Sequence, residues 1–164
     1  VLKRVGELYT KSLGGLIVKF WNVYGIEKDM DKAHVITDFI RKGFETGVID
    51  MMTDGTEARE FLYAEDCCEA LETVMDEYDN LSCDDELHIT TGVYTTVLEI
   101  AEEIKSLFFS IGKKITVIPD EKKDSVQRDA RNVPDPYIKE FWQPTTSVKE
   151  GLKKVFEEMK KDYE

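Results

Sequence analysis

The stretch Gly14-Gly15-Leu16-Ile17-Val18-Lys19-Phe20-Trp21-Asn22-Val23-Tyr24-Gly25 decides the fold. A double glycine ends one pattern and a short β-branched run begins at once, which is the helix-to-strand step of a layered α/β domain. Upstream, Leu2, Val5, Leu8, Tyr9 and Leu13 recur at helical spacing. Val1 falls inside that pattern, so a piece of a longer protein is expected.

Downstream the alternation continues. Val35, Ile36, Phe39, Ile40 and Phe44 predict a helix over residues 33–44, closed by Gly47. Short strands are predicted at 49–53 and 61–63, with Asp54-Gly55 as the turn between them. Asp66 is expected to cap a helix carrying Ala70, Leu71, Val74 and Met75. Residues 87–90 read as extended. Thr96 with Glu99, and Ser147 with Glu150, form two capping boxes ahead of helical patterns. A strand at 115–118 ends at Pro119, and the polar segment 120–136 is expected to be a loop that could lie over a site.

Composition removes several function classes. Hydrophobic residues make up 41% of the 164, enough for a real core. The 34 Asp plus Glu against 22 Lys plus Arg give a formal net charge of −12. That balance argues against a nucleic-acid partner, whose phosphates are held by clustered Lys and Arg. No apolar run approaches the ~20 residues needed to cross a bilayer, so no membrane partner is expected. Cys67, Cys68 and Cys83 are an odd set without zinc spacing, read as reduced, structural and cytoplasmic. No GxGxxG, P-loop or HExxH occurs, His34 and His88 lie far apart, and no metal site is expected.

Four segments stand out by their order: Lys3-Arg4-Val5-Gly6-Glu7, Phe20 through Gly25, Asp54 through Asp66, and Trp142-Gln143-Pro144-Thr145-Thr146-Ser147. In this order and spacing the sequence resembles the extended short-chain dehydrogenase/reductase (SDR) family, the NAD(P)-dependent nucleotide-sugar epimerases and dehydratases. The family shows N-x-Y-G at a strand end after its catalytic helix, then G-D-G-x-x-x-R-[DE]-F-x-x-x-x-D leading into a helix. A G-W-x-P-x-x-S stretch precedes its terminal helix. The resemblance covers nearly the whole chain; Phe141 stands where the glycine before Trp142 is usual.

The resemblance carries expectations for fold and sites. The lysine of the family's Y-x-x-x-K motif falls at Lys3, its tyrosine two residues before Val1, and the glycine-rich dinucleotide loop further upstream. The chain is thus expected to be α/β, the C-terminal part of a Rossmann-like extended SDR fold. Residues 1–25 would be a remnant of the dinucleotide-binding domain, with part of the catalytic helix and the last strand. Residues 26–164 would be mainly the smaller substrate-binding lobe, with segments packing back on that domain. Lys3 would be catalytic, its charge lowering the pKa of the tyrosine that takes a proton from the sugar hydroxyl. Lys3, Phe20 and Asn22 would contribute the minority of NAD or NADP contacts.

The substrate implied is a nucleotide-diphosphate sugar, oxidised transiently at C4 by an epimerase or 4,6-dehydratase. Arg59 would bind the diphosphate, the structural alternative being an ion pair with Asp66 or Glu60. Asn22 would touch the phosphates, or else be a turn asparagine before Tyr24-Gly25. Val35, beside Ile36, lies where the family packs the base, although apolar helix residues also serve simply as core. Lys122-Lys123-Asp124 stands for the family's R-P-G-[DE], making Asp124, Arg128 and Arg131 candidates for ribose and phosphate. The 164 residues alone are expected to be inactive, and the competing reading is a non-catalytic nucleotide-sugar-binding module or scaffolding paralogue.

A homodimer is implied for an intact enzyme. In the isolated chain the apolar stripe of the first helix and the strand at 16–20 would lack their usual neighbours. Burial of such surface gains ~25 cal/mol per Å², whereas charge repulsion is screened beyond ~8 Å at ~0.15 M salt. Self-association is therefore expected in sedimentation, and a clean, thermally stable monomer would contradict it.

Overall fold

The computed structural model describes residues 1–27, 29, 33–81, 86–125 and 133–164. Helix α1 (Leu2–Ser12) carries no buried residue. Gly14 turns the chain at φ 71°, and its N–H returns to the Lys11 carbonyl at 3.0 Å. Strands β1 (Val18–Phe20) and β2 (Val23–Tyr24) follow, parted only by Trp21 and Asn22. Strand β3 is Val48–Asp50, β4 Ala58–Glu60, β5 Leu62–Tyr63, β6 Leu87–Ile89, β7 Tyr94–Thr96 and β8 Thr116–Ile118. Three parallel pairs form, β1 with β6, β2 with β5 and β3 with β8. β4 and β7 pair antiparallel, with Arg59 opposite Thr95.

Parallel pairing demands cover from helices, and two apolar clusters supply it. The larger packs α2 (Val35–Glu45), α4 (Val97–Ser110) and α5 (Val148–Lys160) around β3, with Ile36, Ile40, Ile104, Phe108 and Phe156 fully enclosed. The smaller gathers Ala70 and Val74 of α3 (Ala64–Asp76), Leu87 and Ile89 of β6, and Ile138 and Trp142 near the C-terminal helix. Of residues 1–25, Leu16 and Val18 pack on this smaller cluster, Val18 opposite Leu87, while Tyr24 of β2 belongs to the larger one. Two glycines permit the closest approaches. A Cβ on Gly43 would run into the Phe108 ring, and one on Gly151 into the Tyr24 hydroxyl, which donates to the Val148 carbonyl at 3.3 Å.

Both capping boxes form as the sequence predicts, Thr96 with Glu99 and Ser147 with Glu150. Several expectations shift. The strand expected at 49–53 ends at Asp50, and the one at 16–20 begins only at Val18. Asp66 is not a cap: Tyr63 takes that position. Asp66 instead lies buried one turn in, accepting from Thr145 Oγ1 and the Thr146 N–H at 3.0 Å and from Thr146 Oγ1 at 3.1 Å. The pair β4 and β7 was not expected at all. Ala-Arg-Glu and Tyr-Thr-Thr show no apolar alternation, because the inward position of β4 is taken by a charged residue, Glu60, which is 1% exposed.

One oxygen of Glu60 is satisfied by a turn, while Oε1 is buried without a partner among the described residues. Its Oε2 accepts from the Thr91 N–H at 3.0 Å, the Gly92 N–H at 3.1 Å and the Thr90 hydroxyl. Its carbonyl accepts from Asn22 Nδ2 at 3.0 Å. Glu60→Ala would leave the buried Thr90 hydroxyl and the part-buried Thr91 and Gly92 N–H groups without their acceptor, at about 1–3 kcal/mol for the buried group and less for the other two. Urea unfolding of that variant should show a loss of about 3 kcal/mol or more, and a loss under about 1 kcal/mol would contradict this role.

Candidate functional site

Alternate residues of an extended segment point to opposite sides. Glu60 goes to the interior, so Arg59 and Glu57 go the other way. Both line a cavity of about 610 Å³, walled also by Val35 and Phe39 of α2, Met51, Val97 and residues 122–125. The segment after β8 runs beside the one after β3. The Asp120 N–H donates to the Thr53 carbonyl at 3.0 Å, and the Asp54 N–H to the Lys122 carbonyl at 2.7 Å. This continuation of the β3–β8 pairing brings Lys122, Lys123 and Asp124 onto the cavity wall. Gly55, at φ 74°, then turns the chain back into β4. A Cβ there would also press on Leu98, so only glycine fits. Asp54 braces the turn: Thr56 Oγ1 and N–H donate to its Oδ1 at 2.7 and 3.0 Å, which holds this carboxyl below the usual carboxylate range.

The cavity's charged groups are partly spoken for. Arg59 Nη2 donates to Asp124 Oδ2 at 2.6 Å, while Arg59 Nε is buried without a partner among the described residues. Glu57 is 8% exposed. Its Oε1 accepts from Thr53 Oγ1 at 2.7 Å, and its Oε2 is buried without a partner among the described residues. Lys42 Nζ lies 3.1 Å from Asp38 Oδ2, 3.0 Å from Asp50 Oδ1 and 3.0 Å from the Asp50 carbonyl. The Lys42 hydrogen bond holds the Asp50 carboxyl below its ordinary range. Burial works against the Lys42 charge, but its bonds to Asp50 and Asp38 outweigh that and push the ammonium pKa up.

Of the residues singled out from sequence, Arg59, Asp124 and Val35 meet at this cavity. Arg59 sits in the middle of β4. Neither alternative ion pair forms, since Glu60 serves the Thr90–Gly92 turn and Asp66 serves Thr145 and Thr146. Val35 is half-buried against the larger core, and Ile36 is fully in it. Lys3, Phe20 and Asn22 do not line the cavity. Lys3 is exposed on α1 and Phe20 is 46% exposed at the end of β1. Asn22 takes φ 32°, which asparagine tolerates better than most side chains. Its side chain holds the Glu60 carbonyl and its own carbonyl accepts from the Leu62 N–H at 3.2 Å. Arg128 and Arg131 lie outside the described residues.

Sequence reasoning passed over Glu57, Lys42 and Asp50. For Glu57 a signal existed: two residues before Arg59, it shares that residue's face once 57–60 is read as extended. Lys42 and Asp50 meet only because α2 packs back on β3, and nothing local announces that. Among the described residues no cluster of three His, Cys, Asp or Glu could hold a metal, and no helix is long and apolar enough to cross a membrane.

Comparison with known proteins gives a consistent set. The profile of the NAD dependent epimerase/dehydratase family matches residues 3–89. A GDP-L-fucose synthase of Sinorhizobium fredii is 27% identical over 161 residues, covering 92% of this chain and 49% of that protein. A UDP-N-acetyl-alpha-D-glucosaminuronate decarboxylase of Bacillus cytotoxicus is 32% identical over 147 residues, covering 86% of this chain and 44% of the other. The crystal structure of a Thermotoga maritima UDP-glucose 4-epimerase with UDP-glucose superposes with a TM-score of 0.77 at 24% identity, over 98% of this chain and 51% of that one. The chain spans about half the length of the relatives it matches, and the fold is that of the C-terminal part of a Rossmann-like extended SDR protein.

The Lys42–Asp50 contact sets a pH dependence. Asp50 has a depressed folded pKa, so its contribution is present above the unfolded value near ~3.9 and is lost as pH falls through the folded one. Lys42→Met should return Asp50 toward ordinary carboxylate titration by NMR, and its stability deficit should narrow below pH ~4. An unchanged Asp50 titration would contradict the coupling.

Proposed function

The chain belongs to the NAD dependent epimerase/dehydratase family, and from that premise we propose that it forms the nucleotide-sugar-binding half of an NAD(P)-dependent nucleotide-sugar epimerase or dehydratase. The observation that carries this reading is Arg59, a guanidinium on the cavity wall with Nε buried and unpartnered. Only Nη2 is bonded to Asp124, so half the fork remains for an anion. A diphosphate can take both sides of that fork, exchanging one intramolecular contact for a bidentate one. Lys122 and Lys123 on the same wall add positive charge where the phosphates would lie. Val35, Phe39 and Met51 supply the apolar surface a base needs.

The family's cofactor finds no cradle in the residues expected to touch it. Lys3 and Phe20 are exposed, and the Asn22 side chain is occupied by the Glu60 carbonyl. Lys3 is kept as the proposed lysine of the Tyr-x-x-x-Lys pair, its cation stabilising an ionised tyrosine. Asp124 is proposed to leave Arg59 when the diphosphate arrives, which makes residues 122–125 responsive to the ligand.

Calorimetric titration of the chain with UDP, GDP and UDP-glucose tests this. Arg59→Ala removes a charge-assisted contact of roughly 1.5–3 kcal/mol, so affinity should fall about ten- to hundredfold. In an enzyme containing this chain the same substitution should raise KM with kcat little changed, since the diphosphate is remote from sugar C4. Equal affinities, or a loss confined to kcat, would contradict the assignment.

A further inference from the structure

We propose that Glu57 receives the ribose hydroxyls of the bound nucleotide and so makes the site selective for ribonucleotides over their deoxy counterparts; this rests on the reading of the cavity as a nucleoside-diphosphate-sugar site. Glu57 is more than nine-tenths buried and lines the cavity, yet only one of its oxygens is satisfied. A buried acceptor left unpaired costs free energy that a ligand donor would recover. Thr53 Oγ1 pins Oε1, so the carboxyl cannot swing away to water without breaking that bond. A phosphate cannot be the missing partner, because two anions would repel. A hydroxyl donor suits it, and carboxylates meet ribose hydroxyls in this way in dinucleotide sites.

The spacing agrees with a ribose. The Val97 N–H donates to the Glu57 carbonyl at 3.1 Å, so the β4–β7 pairing extends to Glu57. Glu57 and Arg59 are then alternate residues on one face, about 7 Å apart at ~3.3 Å rise per residue. In a nucleoside diphosphate the ribose hydroxyls stand one furanose ring from the α-phosphate, a comparable reach. With the diphosphate on Arg59, the ribose comes beside Glu57. The resemblance would give this duty to Asp124, whose carboxylate bonds Arg59 in the free chain; Glu57 Oε2 is the acceptor already fixed on the wall without a partner among the described residues. Arg59 Nε and Glu57 Oε2 are both shut from solvent while that ion pair stands. A diphosphate that displaces Asp124 frees residues 122–125 to move and makes the two orphan atoms available together.

The test titrates UDP against 2′-deoxy-UDP and 3′-deoxy-UDP, and GDP against its deoxy forms, using the chain and three variants. Wild type should lose roughly tenfold in affinity on removal of the hydroxyl that Glu57 meets, with either base. Glu57→Ala should bind ribo and deoxy forms equally, at the wild-type deoxy level. Glu57→Gln keeps the acceptor for Thr53 and should fall between the two; it decides the matter if the alanine variant does not fold. Arg59→Ala should weaken all ligands alike and keep the ribo-to-deoxy ratio. A ratio that survives Glu57→Ala, no ratio in wild type, or a change in UDP-to-GDP preference instead would overturn the ribose role while leaving the binding reading intact. Failure of the folded wild-type chain to bind any nucleoside diphosphate would overturn both.

Discussion

One buried carboxylate, that of Glu60, holds the arrangement that everything around the cavity depends on. Its Oε2 gathers two backbone N–H groups and a threonine hydroxyl from the turn after β6, while its carbonyl takes the side chain of Asn22 between β1 and β2. Two stretches far apart in sequence are thereby fixed to β4. A carboxylate can do this in a dry site because several donors share its charge, as backbone amides do at an anion nest. Since β4 is extended, fixing Glu60 inward sends Arg59 and Glu57 outward. The interior contact and the direction of the binding groups are one constraint.

A second set of contacts fixes α5 against α3 and β2. Asp66 at the start of α3 is met by Thr145 and Thr146 just before α5. Tyr24 of β2 reaches over Gly151 to the Val148 carbonyl in the first turn of the same helix. Burial raises the Tyr24 pKa far above its ordinary value, so the phenol remains a donor across the whole physiological range. Both contacts place polar groups of one element against the backbone or hydroxyls of another. Apolar packing alone tolerates sliding, and these directional bonds do not.

The cavity sorts its charges. Lys42 is tied to Asp38 and Asp50 on the α2–β3 side, whereas Arg59 meets Asp124 of the wall segment 122–125, which also carries Lys122 and Lys123. Arg59 is closed by Asp124 with one short bond and left open at Nε. A site built this way favours a ligand with an anionic part at one end and donors nearby. On the proposed reading, a diphosphate that takes Arg59 would displace Asp124 and the segment that carries it.

By itself the sequence determined the elements with strong local signals: both capping boxes, the helices at 35–45 and 148–160, the Gly14-Gly15 exit and the Asp54-Gly55 turn. These rest on interactions within a few residues, where side-chain chemistry and backbone preference act directly. It also marked Arg59, Asp124 and Val35 as candidates that meet in space. Tertiary structure alone decided that Asp66 is a buried acceptor instead of a cap, and that β4 and β7 exist. Only the fold shows that Asn22 braces Glu60 and that Lys42 belongs to the cavity wall. The reason is the same in each case: these polar groups find their partners 30 to 80 positions away in sequence, or across the α2–β3 contact. A charged residue whose partner is that remote looks, in the sequence, like surface.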